Sequence, residues 1–269
     1  MEACYRHPDR ETGVSCSSCG RPICPECMTA TQVGMRCPEC ASQRTPVRTM
    51  ASLRADPTLT YVLVGINVLV FLGSMFGGGG LVGGGISPLD VEGALVGDEV
   101  AAGELWRLVT GGFLHAGIAH LFLNMFLLYI LGGMLEPAIG RLRFGVIYFV
   151  SLLCGSFGAL LLSPAAFTRG ASGAVFGLMA ATFVVMRTRG IDPMQSGIGP
   201  LILLNLVITF LLPGISIGGH IGGLVGGGLA ALLMFDLRDR VRIPAVAANA
   251  LAAGLGVLAV VGSLAVVSG

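Results

Sequence analysis

The chain has 269 residues, 54% of them hydrophobic and only 12% charged, with a mean hydropathy of +0.84. That is more apolar surface than one water-soluble core of this length can hide, which excludes an ordinary cytosolic enzyme. A formal net charge of +1, with no basic run, lacks the electrostatic footprint of a nucleic-acid binder.

Seven of the eight cysteines fall within residues 1–42, in the pairs Cys4-x2-His7, Cys16-x2-Cys19, Cys24-x2-Cys27 and Cys37-x2-Cys40. Each pair can grip one metal from a knuckle, and structural zinc takes four N or S donors with no open position, so eight donors predict two closed zinc sites. Disulfides are disfavoured because the module is expected in the cytoplasm, and because they would leave His7 without a role. So short a segment rarely folds on its own core, so the metal is expected to supply most of the folding energy. Spacing alone does not decide which pairs share a metal. The first residues, Met1 to His7, lack an apolar stretch, so no cleavable signal peptide is expected.

Residues 43–58 read as a polar linker containing Arg44, Arg48 and Arg54. Beyond it lie seven apolar stretches of about the length needed to cross a bilayer, near 59–76, 117–136, 143–162, 171–187, 198–213, 217–236 and 244–267, the fourth and fifth being short. Arg141 and Arg143, Arg187 and Arg189, and Arg238, Arg240 and Arg242 occupy alternate joints, whereas the other joints hold only Arg107 and Arg169. The positive-inside rule then sets the N-terminus in the cytoplasm and the C-terminus outside. The segment between the first two spans contains Trp106-Arg107, read as an interfacial anchor with the indole at headgroup depth and the guanidinium reaching water.

Polar side chains inside spans are costly and mark functional sites by default. His120 and Asn124 lie on span two, Ser172 opens span four, His220 opens span six, and His115 just precedes span two. Spans two, four and six run the same way, so these residues share one depth, in the outer third of the bilayer. Gly173, Gly177 and Ala181 on span four, and Gly219, Gly223 and Gly227 on span six, recur every four residues; a second row is Gly218, Gly222 and Gly226. Small residues at that interval let two helix backbones approach closely. Ser172 and His220 each adjoin the first glycine of such a ridge, and a Ser hydroxyl within hydrogen-bond reach of an imidazole is the minimum arrangement for an activated nucleophile with its general base. His120 and Asn124 stand one above the other and can donate hydrogen bonds to an oxyanion, joined by the Ser172 backbone N–H at a helix N-terminus. No acidic residue shares this depth in any span, so a Ser-His dyad is expected, with Phe176 one turn below Ser172 able to pack on the His220 ring.

At these residues the chain resembles the rhomboid family of intramembrane serine proteases, over about residues 59–236. The motifs are Trp106-Arg107, His115, His120-x3-Asn124, Gly170-Ala171-Ser172-Gly173 and Gly219-His220-x2-Gly223. The resemblance implies Ser172 as nucleophile, His220 as base, an oxyanion hole of the Ser172 N–H with His120 and Asn124, and a cavity opening outward. It also implies single-pass membrane proteins as substrates, cut near the outer end of their transmembrane segment, with span five and Pro213 to Gly219 as lateral gate and cap. Phe176 stands where bacterial members often have Tyr. The first 42 residues resemble B-box-type zinc modules, which implies that pairs one and three share one metal and pairs two and four the other.

The expected architecture is an all-α polytopic membrane protein in the plasma (inner) membrane of a bacterium. It comprises a zinc module (1–42), a linker (43–58), a six-helix protease core (59–236) and an extra C-terminal transmembrane helix (237–269). Two structural Zn2+ and no catalytic cofactor are expected. The partners are the lipid bilayer, transmembrane substrates and a cytoplasmic partner of the zinc module, with no nucleic acid. The competing reading is a non-proteolytic adaptor that binds transmembrane helices and recruits partners through the module. A transporter would need carboxylates within the spans, and only Glu136 and Asp236 lie there, both at inner ends.

Overall fold

The computed structural model describes residues 1–42, 56–82 and 85–269, and the chain divides into two compact units, Met1–Arg54 and Ala55–Gly269. Residues 43–55 of the expected linker, with Arg44, Arg48 and Arg54, lie outside the described residues.

The first unit has little regular structure. Strand β1 (Glu2–Ala3) pairs antiparallel with β2 (Glu11–Thr12), and β3 (Thr29–Thr31) with β4 (Gly34–Arg36). A short helix α1 (Pro38–Ser42) follows. Its buried apolar cluster is six cysteines and Ile23, too small a core to hold so short a chain in place. Hydrogen bonds from the Tyr5 hydroxyl and from its own backbone N–H, with Arg6 alongside, hold the Glu39 carboxyl down to about 2, tying the first loop to α1.

The second unit is helical. Its long helices are α2 (Thr58–Phe76), α6 (Ile118–Ile139), α7 (Arg141–Leu162), α8 (Ser172–Thr188), α9 (Ile198–Leu211), α10 (Ile217–Ala231) and α12 (Ala245–Val267). Short helices α3 (Pro88–Gly93), α4 (Gly97–Ala101) and α5 (Arg107–Thr110) fill the segment between α2 and α6. A π-helical turn, Leu232–Leu237, carries α10 into α11 (Arg238–Val241). Among the described residues, five helical stretches are long and apolar enough to cross a membrane. The other two, α8 and α9, have 17 and 14 residues. Helix α8 is buried on most of its faces by other helices, so protein surrounds it where a longer helix would meet lipid. The sixth apolar stretch runs on as one helix to Val241, beyond the expected end at 236.

Helix ends follow local rules. Pro57 occupies the N-cap position of α2, whose first free N–H groups, on Leu59 and Thr60, donate to the buried Glu136 carboxylate at 2.9 and 2.8 Å. Glu136 is thus a cap supplied by α6, which is why a carboxylate survives at an apolar helix end. Ser87 and Asp90 form a capping box with Pro88 at the first position of α3. Gly140 alone, at φ +88°, separates α6 from α7, a left-handed conformation that favours glycine.

The core is built by backbone contact. Helix α10 lies in a groove between α7 and α8. On one side, a Cβ on Gly173 would stand 3.1 Å from the Gly219 carbonyl oxygen, and a Cβ on Gly223 only 2.8 Å from Gly173 Cα. The second row faces α7: side chains at Gly218 and Gly222 would overlap the Gly158 and Cys154 carbonyls, and Cys154 packs directly on Gly226. The two glycine rows therefore serve two different neighbours, with α12 packed on the outer side of α7.

Arg107 departs from the sequence expectation. Its guanidinium does not reach water: the residue is 4% exposed, donates to the carbonyls of Val91 at 2.7 Å and Ala94 at 2.9 Å, and pairs with Glu104 at 2.6 Å. The carbonyls at the end of α3 supply acceptors that water would otherwise provide. Trp106 stays half-exposed, its Nε1–H donating to the Glu92 carbonyl at 3.2 Å.

The glycine packing makes a stability prediction. A Cβ on Gly177 would overlap Ser151 and come within 2.8 Å of the Gly223 carbonyl oxygen, so Gly177→Val is expected to destabilise the bundle by at least about 2 kcal/mol, read as a lowered thermal midpoint in detergent beside Gly133→Val, whose site is open.

Candidate active site

Helix α8 begins at Ser172, leaving the first-turn N–H groups of the helix beside that hydroxyl. The preceding residue pair fixes the approach. Gly170 has φ +138°, and a Cβ there would stand 2.6 Å from His120 Cε1, 2.8 Å from His120 Nε2 and 3.8 Å from Ser172 Oγ. Only glycine satisfies both the dihedral and the space. The hydrogen that Gly170 carries instead faces both the imidazole of α6 and the serine hydroxyl of α8.

This segment is fastened to the α3–α5 region. Gly170 N–H donates to the Gly111 carbonyl at 2.9 Å, Thr168 and Leu95 exchange backbone bonds, and Arg169 pairs with the buried Asp90 at 2.9 Å. Asp90 also accepts from the Ser74 and Ser87 hydroxyls at 2.8 and 2.7 Å. The turn that presents Ser172 therefore has a charged and hydrogen-bonded foundation.

His220 is buried in the first turn of α10, between Gly219 and Gly223, which press against Gly173. Ser172 is the residue before Gly173, so the ridge contact brings the starts of the two helices carrying Ser172 and His220 together. Phe176 stacks on the His220 ring, with centroids 4.1 Å apart and planes at 20°. The ring nitrogen Nδ1 lies 2.7 Å from Thr209 Oγ1 on α9.

On α6, His120 receives the Ala116 backbone N–H at Nδ1 over 3.5 Å. A backbone N–H can only donate, so this contact favours a neutral ring with its proton on Nε2, the atom that faces Gly170. Asn124 donates one amide hydrogen to the His120 carbonyl at 3.0 Å and keeps a second. His115 is 2% exposed, meets the His120 ring edge-on at 5.0 Å, and has both ring nitrogens without a hydrogen-bond partner among the described residues. Ser172 and His120 are half-buried while Asn124, Phe176 and His220 are buried, so the reachable groups of the cluster are the hydroxyl and one imidazole.

The structure thus gathers Ser172, His220, Phe176, Gly170, Gly173, His120, Asn124 and His115 around the N-terminal ends of α6, α8 and α10. Chemically the cluster offers a half-buried hydroxyl, two imidazoles and an amide N–H, the group types from which a nucleophile, a base and oxyanion donors can be drawn. Thr209 and the Asp90–Arg169 pair belong to its surroundings. Thr209 is one polar residue in an apolar span, and span five runs opposite to span four, which sets its C-terminal end at the depth of Ser172. That depth is the one sequence signal it carries.

In the first unit, Cys4, His7, Cys24 and Cys27 converge, as do Cys16, Cys19, Cys37 and Cys40, with donor atoms in each group within 4.8 Å of one another. His7 Nδ1 lies 3.3 Å from Cys24 Sγ and 3.4 Å from Cys27 Sγ, and Cys19 and Cys37 Sγ are 3.8 Å apart. Donors about 2.3 Å from a tetrahedral ion are separated by about 3.8 Å, and no cysteine is in a disulfide. Each group can hold one metal ion, in the pairing that B-box resemblance implies.

A family model described as the Rhomboid domain matches residues 102–237, which contain every residue of the membrane cluster. The rhomboid protease GluP of Bacillus subtilis is 36% identical over 178 residues, 65% of this chain and 34% of that protein. RHOMBOID-like protein 7 of Arabidopsis thaliana is 37% identical over 57% of this chain and 51% of its own length. The putative rhomboid protease YdcA of Bacillus subtilis is 34% identical over 52% of this chain and 73% of its own length. The chain spans about a third to a half of the first two of these relatives. A matched domain covering half the sequence, on a bundle of apolar helices, makes this chain a multi-pass membrane protein that belongs to the rhomboid family.

Proposed function

We propose that this protein is an intramembrane serine endopeptidase that cleaves transmembrane segments of single-pass membrane proteins near the outer face of a bacterial plasma membrane. The observation that supports the reading is the backbone contact of Gly173 with Gly219 and Gly223, the residues that adjoin Ser172 and flank His220. In the proposed mechanism, Ser172 Oγ attacks the scissile carbonyl carbon while His220 Nε2 takes its proton. The oxyanion is held by the Ser172 backbone N–H, His120 Nε2–H and the free Asn124 amide hydrogen. His220 then gives its proton to the leaving amine, and water hydrolyses the acyl-enzyme by the same route in reverse. Phe176 restricts the His220 ring to the plane in which Nε2 serves Ser172.

The positive-inside pattern of the arginines supports a cytoplasmic N-terminus, with residues 1–42 as a zinc module, 59–236 as the protease core and 237–269 as an added helix. Zinc is the metal that four thiolate and imidazole donors at tetrahedral spacing favour. Both sites are closed, so their role is to fold the module and present a surface to a cytoplasmic partner.

Purified protein is expected to react with a fluorophosphonate or isocoumarin probe and to cut a model single-pass substrate, with both activities falling more than about 1000-fold in Ser172→Ala and in His220→Ala. Retained cleavage in Ser172→Ala rejects the mechanism, and a folded wild type that takes no probe favours the adaptor. Gly170→Ala is expected to lose cleavage to a similar degree, because its methyl group occupies the space before His120 Nε2. Metal analysis should give two zinc ions per chain, and a chelator should unfold residues 1–42 by circular dichroism while leaving probe labelling of Ser172 intact.

A further inference from the structure

On the protease reading, the base His220 needs a group that orients its ring. The helix α9 that carries Thr209 is loosely held: beyond its first turn, Thr209 is its one buried residue, 1% exposed, whereas Leu203, Leu204, Phe210 and Leu211 are all exposed. Burying the single hydroxyl of that stretch among apolar residues is costly unless it is hydrogen-bonded. It has two partners. Thr209 Oγ1 lies 2.7 Å from the Asn205 carbonyl oxygen, one turn back in its own helix, and 2.7 Å from His220 Nδ1.

The proton count decides the direction of both bonds. A carbonyl oxygen can only accept, and two oxygens 2.7 Å apart attract only if a proton lies between them. The single hydroxyl proton of Thr209 is therefore committed to Asn205. What remains toward His220 is a lone pair, which can only accept, so the imidazole must carry its proton on Nδ1. A neutral imidazole protonated on Nδ1 has its lone pair on Nε2, the atom that must take the proton of Ser172. Asp90 and Glu136, the fully buried carboxylates, are committed elsewhere, to Arg169 and to the start of α2.

We propose that Thr209 is the positioning residue for His220: through Oγ1 it fixes the Nδ1–H tautomer and ring orientation of the base, the part an acidic residue takes in a three-membered triad. A neutral acceptor also aids the imidazolium formed during attack, though less than a carboxylate would.

The test uses the full chain in detergent with Thr209→Val, which keeps the shape and removes the acceptor, and Thr209→Ser, which restores it. Thr209→Val is expected to lower kcat for a model single-pass substrate and the rate of fluorophosphonate labelling by roughly 10- to 100-fold, with KM and thermal midpoint near wild type; Thr209→Ser should recover most of the rate. A Thr209→Val enzyme as fast as the wild type, or a Thr209→Ser enzyme as slow as Thr209→Val, overturns the assignment. The chain has four histidines, so nitrogen-15 spectra of histidine-labelled protein, with His220→Ala identifying the resonance, read the tautomer directly. Nδ1–H in the wild type and its loss or mixing in Thr209→Val support the proposal; Nε2–H in the wild type overturns it. This readout needs no turnover, so it judges Thr209 even if the wild type proves inert, an outcome that would instead remove the protease reading.

Discussion

The close approach of α8 and α10 is the constraint on which the rest depends. Two helices whose side chains interdigitate stand about 8–10 Å apart; here the Gly173 and Gly223 backbones touch, and Ser172 and His220 ride on that contact. The apolar environment makes this economical. Lipid provides no hydrophobic drive between helices, so packing and interhelical hydrogen bonds must hold them, and both grow as backbones come closer. Two rows of glycine on α10 let it press on α7 and α8 at once, and a methyl added at Gly218, Gly222, Gly223 or Gly227 meets a backbone carbonyl. Rigidity of the site and stability of the bundle are in this sense one property.

A second layer of order comes from charges that the apolar sequence keeps in small number and places with care. Glu136 closes the start of α2, Arg107 satisfies the end of α3, and the Asp90–Arg169 pair joins the α3–α5 segment to the turn before Ser172. Glu136, Arg107 and Asp90 are buried, Arg169 nearly so, and each is matched to specific partners, which is what makes an ionised group tolerable away from water. Removing one partner leaves the other uncompensated, so these pairs specify geometry more than they add net stability.

Much of this was legible in the residues. Apolar stretches and alternating arginines give the helices in order, because length and hydropathy are local properties. His120, Asn124, Ser172 and His220 stand out because polar groups are rare in such stretches, and the four-residue glycine interval reveals which helices touch. The two rows on α10 were visible too, but not that the second faces α7, since that depends on which helix lies beyond. Arg107 beside Trp106 reads as an interfacial anchor until the fold bends α3 over it and supplies two carbonyls. Thr209 is a single hydroxyl whose meaning lies in a contact with a residue eleven positions on, across a turn that periodicity does not describe. The cysteine spacing gives eight donors, while their grouping is a matter of tertiary structure.

The α3–α5 segment illustrates what such matching does to motion. Its acceptors are met by Arg107, its capping box is closed within the protein, and its backbone is bridged at Leu95 to Thr168. A loop whose polar groups are answered by protein has no partly solvated intermediate of low energy, so it opens as a unit or not at all. The segment is therefore tied into the bundle's framework through its backbone, although by sequence it is only the longest connection between two helices.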